Sequence, residues 1–390
     1  MRLVETGRWP VEGDPEWSAE VRARLLAWFA AEKRALPWRE DRDPYRILVS
    51  EVMLVQTTVA AVISYFDRFV REFPDFATLA AADEERVLKA WEGLGYYRRA
   101  RQLHAAARAI VSEHGGRMPR DPAAVRALPG VGRYMAGAIL SQAFDLPEPI
   151  VEANSRRVLA RLVAEAGDLA TAKAQARLWD VAARLVPPRD AGDFNQSLME
   201  LGALVCTPRS PKCLICPVAS LCEARRLGIE GEIPRAAARA APRAVVEACA
   251  VAVDGGRILM VRRAGPGLWA GFWEFPTIHR EGPDPAGRAV DPPVGLEEGV
   301  ERLTGVPISS GKMVQSLTYG VTRYRVRLDA FAAAAGPRRG ASAEPVPGPG
   351  MSAAAWVPWD RLGELTLSAA GRRIVAAIRA EPSAWGIARP

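Results

Sequence analysis

The hydrophobic period of this chain changes once, and that change limits the folds open to it. Up to about residue 225, apolar residues recur at helical spacing and no segment reads convincingly as a strand. Residues 228–244 carry little pattern beyond Ala, Arg and Pro and read as a linker. Short β-type runs follow: Val245–Val253 and Arg257–Arg262 flank the turn Asp254-Gly-Gly256, and Tyr319–Phe331 alternates. Residues 294–303 and 368–380 read as helices, and 335–352, rich in Gly, Pro, Ser and Ala, as a disordered loop. A length of 390 residues exceeds one ordinary core. The expectation is a multi-domain chain, with an all-α unit over 1–227 and an α+β unit over 245–390.

Within the helical half, residues 18–34 read as a helix capped by Ser18, broken by Leu36-Pro-Trp-Arg39. Tyr45–Tyr65 reads as one helix with a broad apolar surface of Ile47, Val49, Val52, Met53, Leu54, Val59 and Ile63. Glu51 sits inside that surface. It lies either on a solvated face or partly buried; burial raises a carboxyl pKa and lets it donate a proton near neutral pH. Further helices are expected at 84–92, 98–114, 155–185 and 193–206. The loop Gly93-Leu-Gly-Tyr-Tyr97 precedes Arg98, Arg99 and Arg101. Aromatics beside arginines can wedge into a base stack while the arginines hold phosphates; a packed loop beside a solvated basic face reads equally well.

Leu128-Pro-Gly-Val-Gly132 forms a turn ahead of a helix starting at Tyr134. Such a turn points backbone N–H groups outward at the positive end of a helix dipole, a site for a backbone phosphate. It also serves as an ordinary helix connection with glycines for tight packing. Glu152 follows shortly, two residues before Asn154, and supplies a second carboxylate.

Cys206, Cys213, Cys216 and Cys222 lie in the pattern C-x6-C-x2-C-x5-C, while Cys249 falls in an apolar run and reads as core. Four thiolates at this spacing hold either zinc, which spacing alone favours, or an iron–sulfur cluster. The net charge of +7 favours a polyanionic partner. No apolar run is long enough to cross a bilayer, and Met1–Asp14 lacks the apolar core of a secretory signal. A cytoplasmic, nucleoid-associated protein is expected.

Taken together, Leu36-Pro-Trp-Arg39, Ser50-Glu-Val-Met-Leu54, Gly93-Leu-Gly-Tyr-Tyr97, the Leu128 hairpin and the cysteine series resemble the MutY-type adenine DNA glycosylases of the endonuclease III, or helix-hairpin-helix, superfamily. The resemblance covers nearly the whole chain. It implies a helical glycosylase domain whose loop at 206–222 holds one 4Fe–4S cluster on the four cysteines, followed by a Nudix-like reader of 8-oxoguanine. It implies a monomer acting on double-stranded DNA with A:8-oxoguanine or A:G mismatches, which flips the adenine out of the duplex. Glu51 takes the place of the family's catalytic glutamate, protonating N7 of adenine and then activating water. Glu152 takes the place of the carboxylate facing the sugar, as in paired-carboxylate glycosidases. Tyr134 and Asn154 position these acids. Arg39, Trp38, Leu54 and Gln196 line the adenine pocket. Gln56, Thr57 and Tyr96 sit at the lesion, and Gly130, Val131 and Gly132 hold the DNA backbone. Tyr134 stands where bifunctional relatives carry a nucleophilic lysine, so the resemblance implies a monofunctional enzyme.

Three positions depart from the family pattern. Its Asp-Gly-Asn triplet is Glu152-Ala-Asn154 here, which moves the charge by roughly an ångström. Its paired glutamines after Met-Leu become Val55-Gln56. Its reader triplet Phe-Ser-His aligns with Val321-Thr322-Arg323, where an arginine can grip a phosphate or donate to a purine edge. The run Gly295–Gly305 lacks a full set of acidic metal ligands, so nucleotide hydrolysis is not expected there. Two other readings remain open from sequence: a glycosylase of altered base or lesion specificity, and a non-catalytic reader of distorted DNA.

Overall fold

The computed structural model describes residues 14–235, 241–265, 267–283, 295–336 and 344–387. The first helix, α1, spans Pro15–Glu32. It begins earlier than its serine implied: Asp14 is the N-cap, accepting from the Glu16 N–H, Pro15 opens the first turn, and Ser18 is buried inside the helix. A 3₁₀ turn, Pro37–Arg39, leads to α2 at Pro44–Leu54.

The single helix expected over 45–65 is two. α2 ends at Leu54, Gln56 takes a φ of +61°, and α3 (Val59–Glu72) starts afresh on a Thr58 cap. Arg99 explains the break. It is buried, and its Nη1 donates to the carbonyls of Val52, Met53 and Val55 at the helix C-terminus, where carbonyls run out of intrahelical donors. Then follow α4 (Phe76–Ala81), α5 (Glu84–Ala90), α6 (Arg98–His114), α7 (Pro122–Ala127) and α8 (Arg133–Phe144). The helix expected over 155–185 also divides, into α9 (Ala153–Leu162) and α10 (Ala172–Leu185), with Ala164 at a φ of +50° between them. α11 (Ala191–Leu204) precedes the cysteine loop, and α12 (Glu223–Leu227) follows it. One core of this half gathers Val21 and Leu25 of α1, Val158 and Leu162 of α9, Leu178 of α10, and Phe194 and Leu198 of α11. The described residues up to 235 contain no strand, as their period required.

The second half is a mixed sheet: β1 (Arg243–Asp254), β2 (Arg257–Arg263), β3 (Trp273–Glu274), β4 (Thr277–Glu281), β5 (Ile308–Val321), β6 (Tyr324–Ala335) and β7 (Met351–Pro358). Neighbours run β3-β2-β1-β6-β5, with β4 also paired to β1 and β7 to β2. β1 and β6 are parallel from Arg243↔Tyr324 to Val253↔Ala334. The two helices here, α13 (Leu296–Thr304) and α14 (Ala369–Ala380), are separated by the sheet. Ala248, Ala250 and Ala252 of β1 pack with Val300 and Leu303 of α13, whereas Cys249 and Val251 pack with Ile374 and Ile378 of α14. Period two on a strand thus fills both faces, which is why β1 reads as an almost unbroken apolar run. Gly255 and Gly256, both at positive φ, close the β1–β2 hairpin.

Two expectations fail here. Tyr319–Phe331 is not one strand: β5 and β6 pair Val321↔Tyr324, and Thr322-Arg323 make the turn. The described part of 335–352 is ordered by α13, since Val346 N–H donates to Thr304 O and Gly348 N–H to Leu303 O. Residues 337–343 and part of the linker, 236–240, lie outside the described residues. By compactness the chain forms two units, and residues 88–97 group with the C-terminal one. No helix among the described residues is long and apolar enough to cross a membrane.

Candidate active site

Burial decides what Glu51 is. The seven consecutive residues Ile47–Met53 of α2 are all buried, so this helix has no solvated face here, and Glu51 is 4% exposed. α8 supplies its partners. Tyr134, on the first turn, places its hydroxyl 2.5 Å from Glu51 Oε2, and Gln142 donates its Nε2 to Oε1 at 3.0 Å. Burial pushes the Glu51 carboxyl above the ordinary range and the nearby Glu152 charge adds to this; the hydrogen bonds from Tyr134 and Gln142 and the Arg39 charge pull the other way without cancelling it. Burial and the same two carboxylates hold the Tyr134 hydroxyl well above its usual value, so it remains a phenol.

Glu152 is held by backbone. It is the N-cap of α9, and its Oε1 accepts from Asn154 N–H at 2.8 Å and Ser155 N–H at 2.7 Å. The Ser155 hydroxyl completes a reciprocal box by accepting from the Glu152 N–H at 2.8 Å. The added methylene of glutamate is therefore taken up by folding the side chain back onto the helix. Asn154 contributes its N–H to Glu152, while its Oδ1 accepts from Arg157 at 2.9 Å. Its side chain positions neither acid through a hydrogen bond.

Arg39 is fixed by Glu200 of α11, a buried acid that also grips Arg34. Burial would raise the Glu200 carboxyl, but the two arginines outweigh it and hold it down at about 2. Trp38 is a core residue with its ring edge-on to Phe66, 5.4 Å away, whereas Leu54 and Gln196 are half-buried. Gln56 is exposed in the α2–α3 break, and Thr57 beside it accepts from Arg99. Arg99 is thus a structural residue, not a phosphate ligand; Arg98 is exposed and Arg101 pairs with Glu84. Tyr96, 52% exposed, stands at a φ of +49°.

In the hairpin, Gly130 has a φ of +77°, and a Cβ there would meet the Gln102 Cβ at 2.6 Å. Val131 is buried and anchors the turn, while Pro129, Gly130 and Gly132 around it are exposed. Gly132 caps α8 without a side chain, and among the described residues no protein group accepts from the N–H groups of Gly132, Arg133 and Tyr134. These are the free donors that an anion at a helix N-terminus uses.

The four cysteines of the loop are free, half-buried thiols. Burial pushes Cys216 up to about 12 and Cys222 up to about 11, and neighbouring thiols of the set add to both. Mutually opposed, partly buried thiols fit a cationic group that binds them as thiolates. Among the described residues no three Cys, His, Asp or Glu side chains converge as a single ion requires; a cluster bonding one thiolate at each corner accepts a wider cage. Arginines brace the loop from α9. Arg161 Nη1 lies 3.3 Å from Cys206 Sγ and donates to Thr207 O, and Arg157 donates to Cys206 O and Gly202 O.

In the C-terminal unit, Val321 is half-buried at the end of β5, while Thr322, at a φ of +49°, and Arg323 are exposed in the hairpin turn. The Arg323 guanidinium lies over the Tyr324 ring and donates to its hydroxyl at 3.2 Å. Glu297 of α13 accepts from Ser310 N–H and Oγ, which holds its carboxyl below the usual range.

Sequence reading missed Gln142, Glu200, Ser155 and the bracing arginines. Only Gln142 left a trace, as the one amide at helical spacing from Tyr134 on a largely apolar helix.

Three family models match: HhH-GPD superfamily base excision DNA repair protein at residues 49–184, the iron-sulfur binding domain of endonuclease III at 206–222, and a NUDIX domain at 248–377. The loop at 206–222 accordingly binds one 4Fe–4S cluster. The chain is 41% identical over 312 residues to an adenine DNA glycosylase of Mus musculus, covering 67% of this chain and 61% of the relative. It is 44% identical over 206 residues to that of Mycolicibacterium smegmatis, covering 52% and 69% respectively. A solved thermostable thymine-DNA glycosylase superposes with a TM-score of 0.50 at 32% identity, over 54% of this chain and 98% of that one. The chain spans about three-fifths of the length of the first mammalian relatives.

Proposed function

The chain belongs to the adenine DNA glycosylase family, and from that premise we propose that it excises adenine opposite 8-oxoguanine or guanine in duplex DNA by hydrolysing the N-glycosidic bond. The observation that carries this reading is the setting of Glu51: buried, raised toward its neutral form, and hydrogen-bonded through both oxygens. A neutral carboxyl donates a proton to N7 of an extruded adenine, which turns the base into a leaving group. The resulting carboxylate then accepts a proton from the attacking water. Glu152, at the N-terminus of α9, stabilises the positive charge that develops on the sugar with Oε2, the oxygen not taken by the helix cap. Tyr134 holds its proton and offers no amine, so no Schiff base to the sugar forms there and strand cleavage is not part of the reaction.

Residues 1–227 act as the catalytic domain and 245–390 as the lesion reader in this proposal, with Thr322 and Arg323 at the reader's hairpin turn. The free N–H groups at Gly132–Tyr134 grip a DNA phosphate. Gln56 and Tyr96 contact the duplex, and Arg39, Trp38, Leu54 and Gln196 build the walls around the base. Cys206, Cys213, Cys216 and Cys222 hold the cluster, whose contribution is to order its loop against DNA and not to react. The protein acts as a monomer in the cytoplasm.

The test is single-turnover excision on duplexes with A opposite 8-oxoguanine, guanine or thymine, read with and without alkali. The expected result is fast excision on the first, slower on the second, none on the third, and no strand break without alkali. Tight binding with no excision on any of them would replace the enzyme by a reader of distorted DNA. Iron and sulfide analysis checks the cluster; zinc alone would refute it.

A further inference from the structure

Gln142 touches the acid but has no place in the reaction outlined above. The buried length of α8 is apolar through Met135, Ala136, Ala138, Ile139 and Leu140 and ends in two buried polar residues: Ser141, which donates to Ala138 O and accepts from Asn195, and Gln142, which reaches Glu51. Gln142 lies eight residues after Tyr134, two turns along the same face. The two oxygens of Glu51 therefore meet different partners. Oε1 accepts from the Gln142 amide at 3.0 Å. Oε2 lies 2.5 Å from the Tyr134 hydroxyl, which is also 3.5 Å from Met199 Sδ. An amide N–H only donates, whereas a hydroxyl both donates and accepts.

We propose that Gln142 is a positioning residue for the general acid: its amide keeps Oε1 an acceptor and so assigns the transferable proton of Glu51 to Oε2. The proposal rests on reading Glu51 as the proton donor. A proton on Oε1 would face the amide N–H head-on. On Oε2 it faces no fixed donor, because the Tyr134 O–H can turn to Met199 Sδ. When Oε2 releases its proton to the base, the Tyr134 O–H turns back to it, and Gln142 already donates to Oε1. Both oxygens of the new carboxylate are then hydrogen-bonded without backbone movement, which is preorganisation of the kind that lowers a barrier. The charged groups facing Glu51 are Glu152 from the α9 cap and Arg39 from the 3₁₀ turn, with Glu200 of α11 holding Arg39.

The experiment uses the full-length, cluster-loaded protein with Gln142→Met, which keeps the length and loses the donor, and Gln142→Glu, which adds a competing carboxyl. The Glu51 carboxyl is titrated by carbon-13 NMR, assigned by its disappearance in Glu51→Gln. Single-turnover excision is measured across pH beside DNA affinity and Tm. In Gln142→Met the Glu51 midpoint is expected to rise by roughly one pH unit, because a hydrogen bond to the charged form is lost. In Gln142→Glu it rises further, because two carboxyls share the site. The basic limb of excision moves up with the midpoint, the plateau rate falls about tenfold, and DNA affinity stays within about threefold. An unchanged midpoint in a folded Gln142→Met overturns the proposal. A lowered midpoint does so as well, since the amide would then present its carbonyl to a protonated Glu51. Should the Met variant lose the fold, Gln142→Leu, which also lacks the donor and adds no charge, carries the same comparison. A native protein that excises no adenine would sink the glycosylase reading while the NMR midpoints still decide the role of Gln142.

Discussion

Glu51 and Glu152 are two glutamates of one site that the chain holds by opposite means. Glu51 lies mid-helix among apolar neighbours and is met by side chains of α8, residues far away in sequence. Glu152 stands at a helix start, half-buried, and is met by N–H groups two and three residues ahead. Burial favours a carboxyl that keeps its proton; free N–H groups at the positive end of a helix favour a carboxylate. Two identical side chains thus sit in two different settings, and the proposed mechanism uses that difference by giving Glu51 the acid role and Glu152 the charge-stabilising one.

The sharpest way to break this comparison is at Glu51. Glu51→Gln removes the only proposed proton donor and is expected to cut single-turnover excision by about a thousandfold or more, with DNA affinity within about threefold. Loss of binding or of fold would instead make Glu51 a packing residue. At the other glutamate, Glu152→Ala is expected to cost about a hundredfold in rate and about 1 kcal/mol of stability, since it removes both the anion and the cap. Glu152→Asp keeps a cap and a charge, so its rate should stay within about tenfold of native. A much larger gain would mean that the folded-back glutamate is a poor version of the shorter acid.

A structural control lies in Arg99. Arg99→Met leaves the end carbonyls of α2 without a donor and is expected to destabilise the protein by roughly 2–4 kcal/mol in denaturant titration, with little change in salt dependence of DNA binding. A reduced salt slope with native stability would restore Arg99 as a phosphate ligand.

The smallest effect concerns pH and stability. The Glu51 pKa is raised in the fold, so its contribution to stability is present below the unfolded carboxyl value and is lost as pH rises through the folded one. Glu51→Gln should therefore gain Tm relative to native as pH rises. Glu200 has the opposite sign. Held down at about 2, its contribution is present above the unfolded value and is lost as pH falls toward 2. The Tm deficit of Glu200→Gln should shrink on acidification, and parallel melts of the two variants across pH check both signs.

Some of this was legible before any coordinates. The change from helical to β period was legible, and the Gly-Gly turn between β1 and β2 and the hairpin ahead of α8 were marked by glycines. The cysteine series pointed to a metal site, although its spacing alone favoured zinc and only the resemblance turned the reading to iron–sulfur. Long helices were overextended at Val55–Thr58 and again after Leu162. Those breaks are set by a buried arginine from another helix and by a left-handed alanine, neither of which the local apolar pattern reports. Arg99, in a basic run, read equally as a phosphate ligand or as part of a solvated basic face, and its burial against the end of α2 fits neither.

The sequence by itself determined the succession of a helical part and a strand-bearing part and marked the four-cysteine loop, because period, spacing and residue type are local properties. Tertiary structure alone decided that Glu51 is buried, that Gln142 and Tyr134 divide its oxygens, that Glu200 fixes Arg39, and that Thr322 and Arg323 occupy a turn. Each of these depends on which groups, distant along the chain, end up within hydrogen-bonding range or out of water. A carboxyl's proton affinity follows from that surrounding and not from its neighbours in sequence.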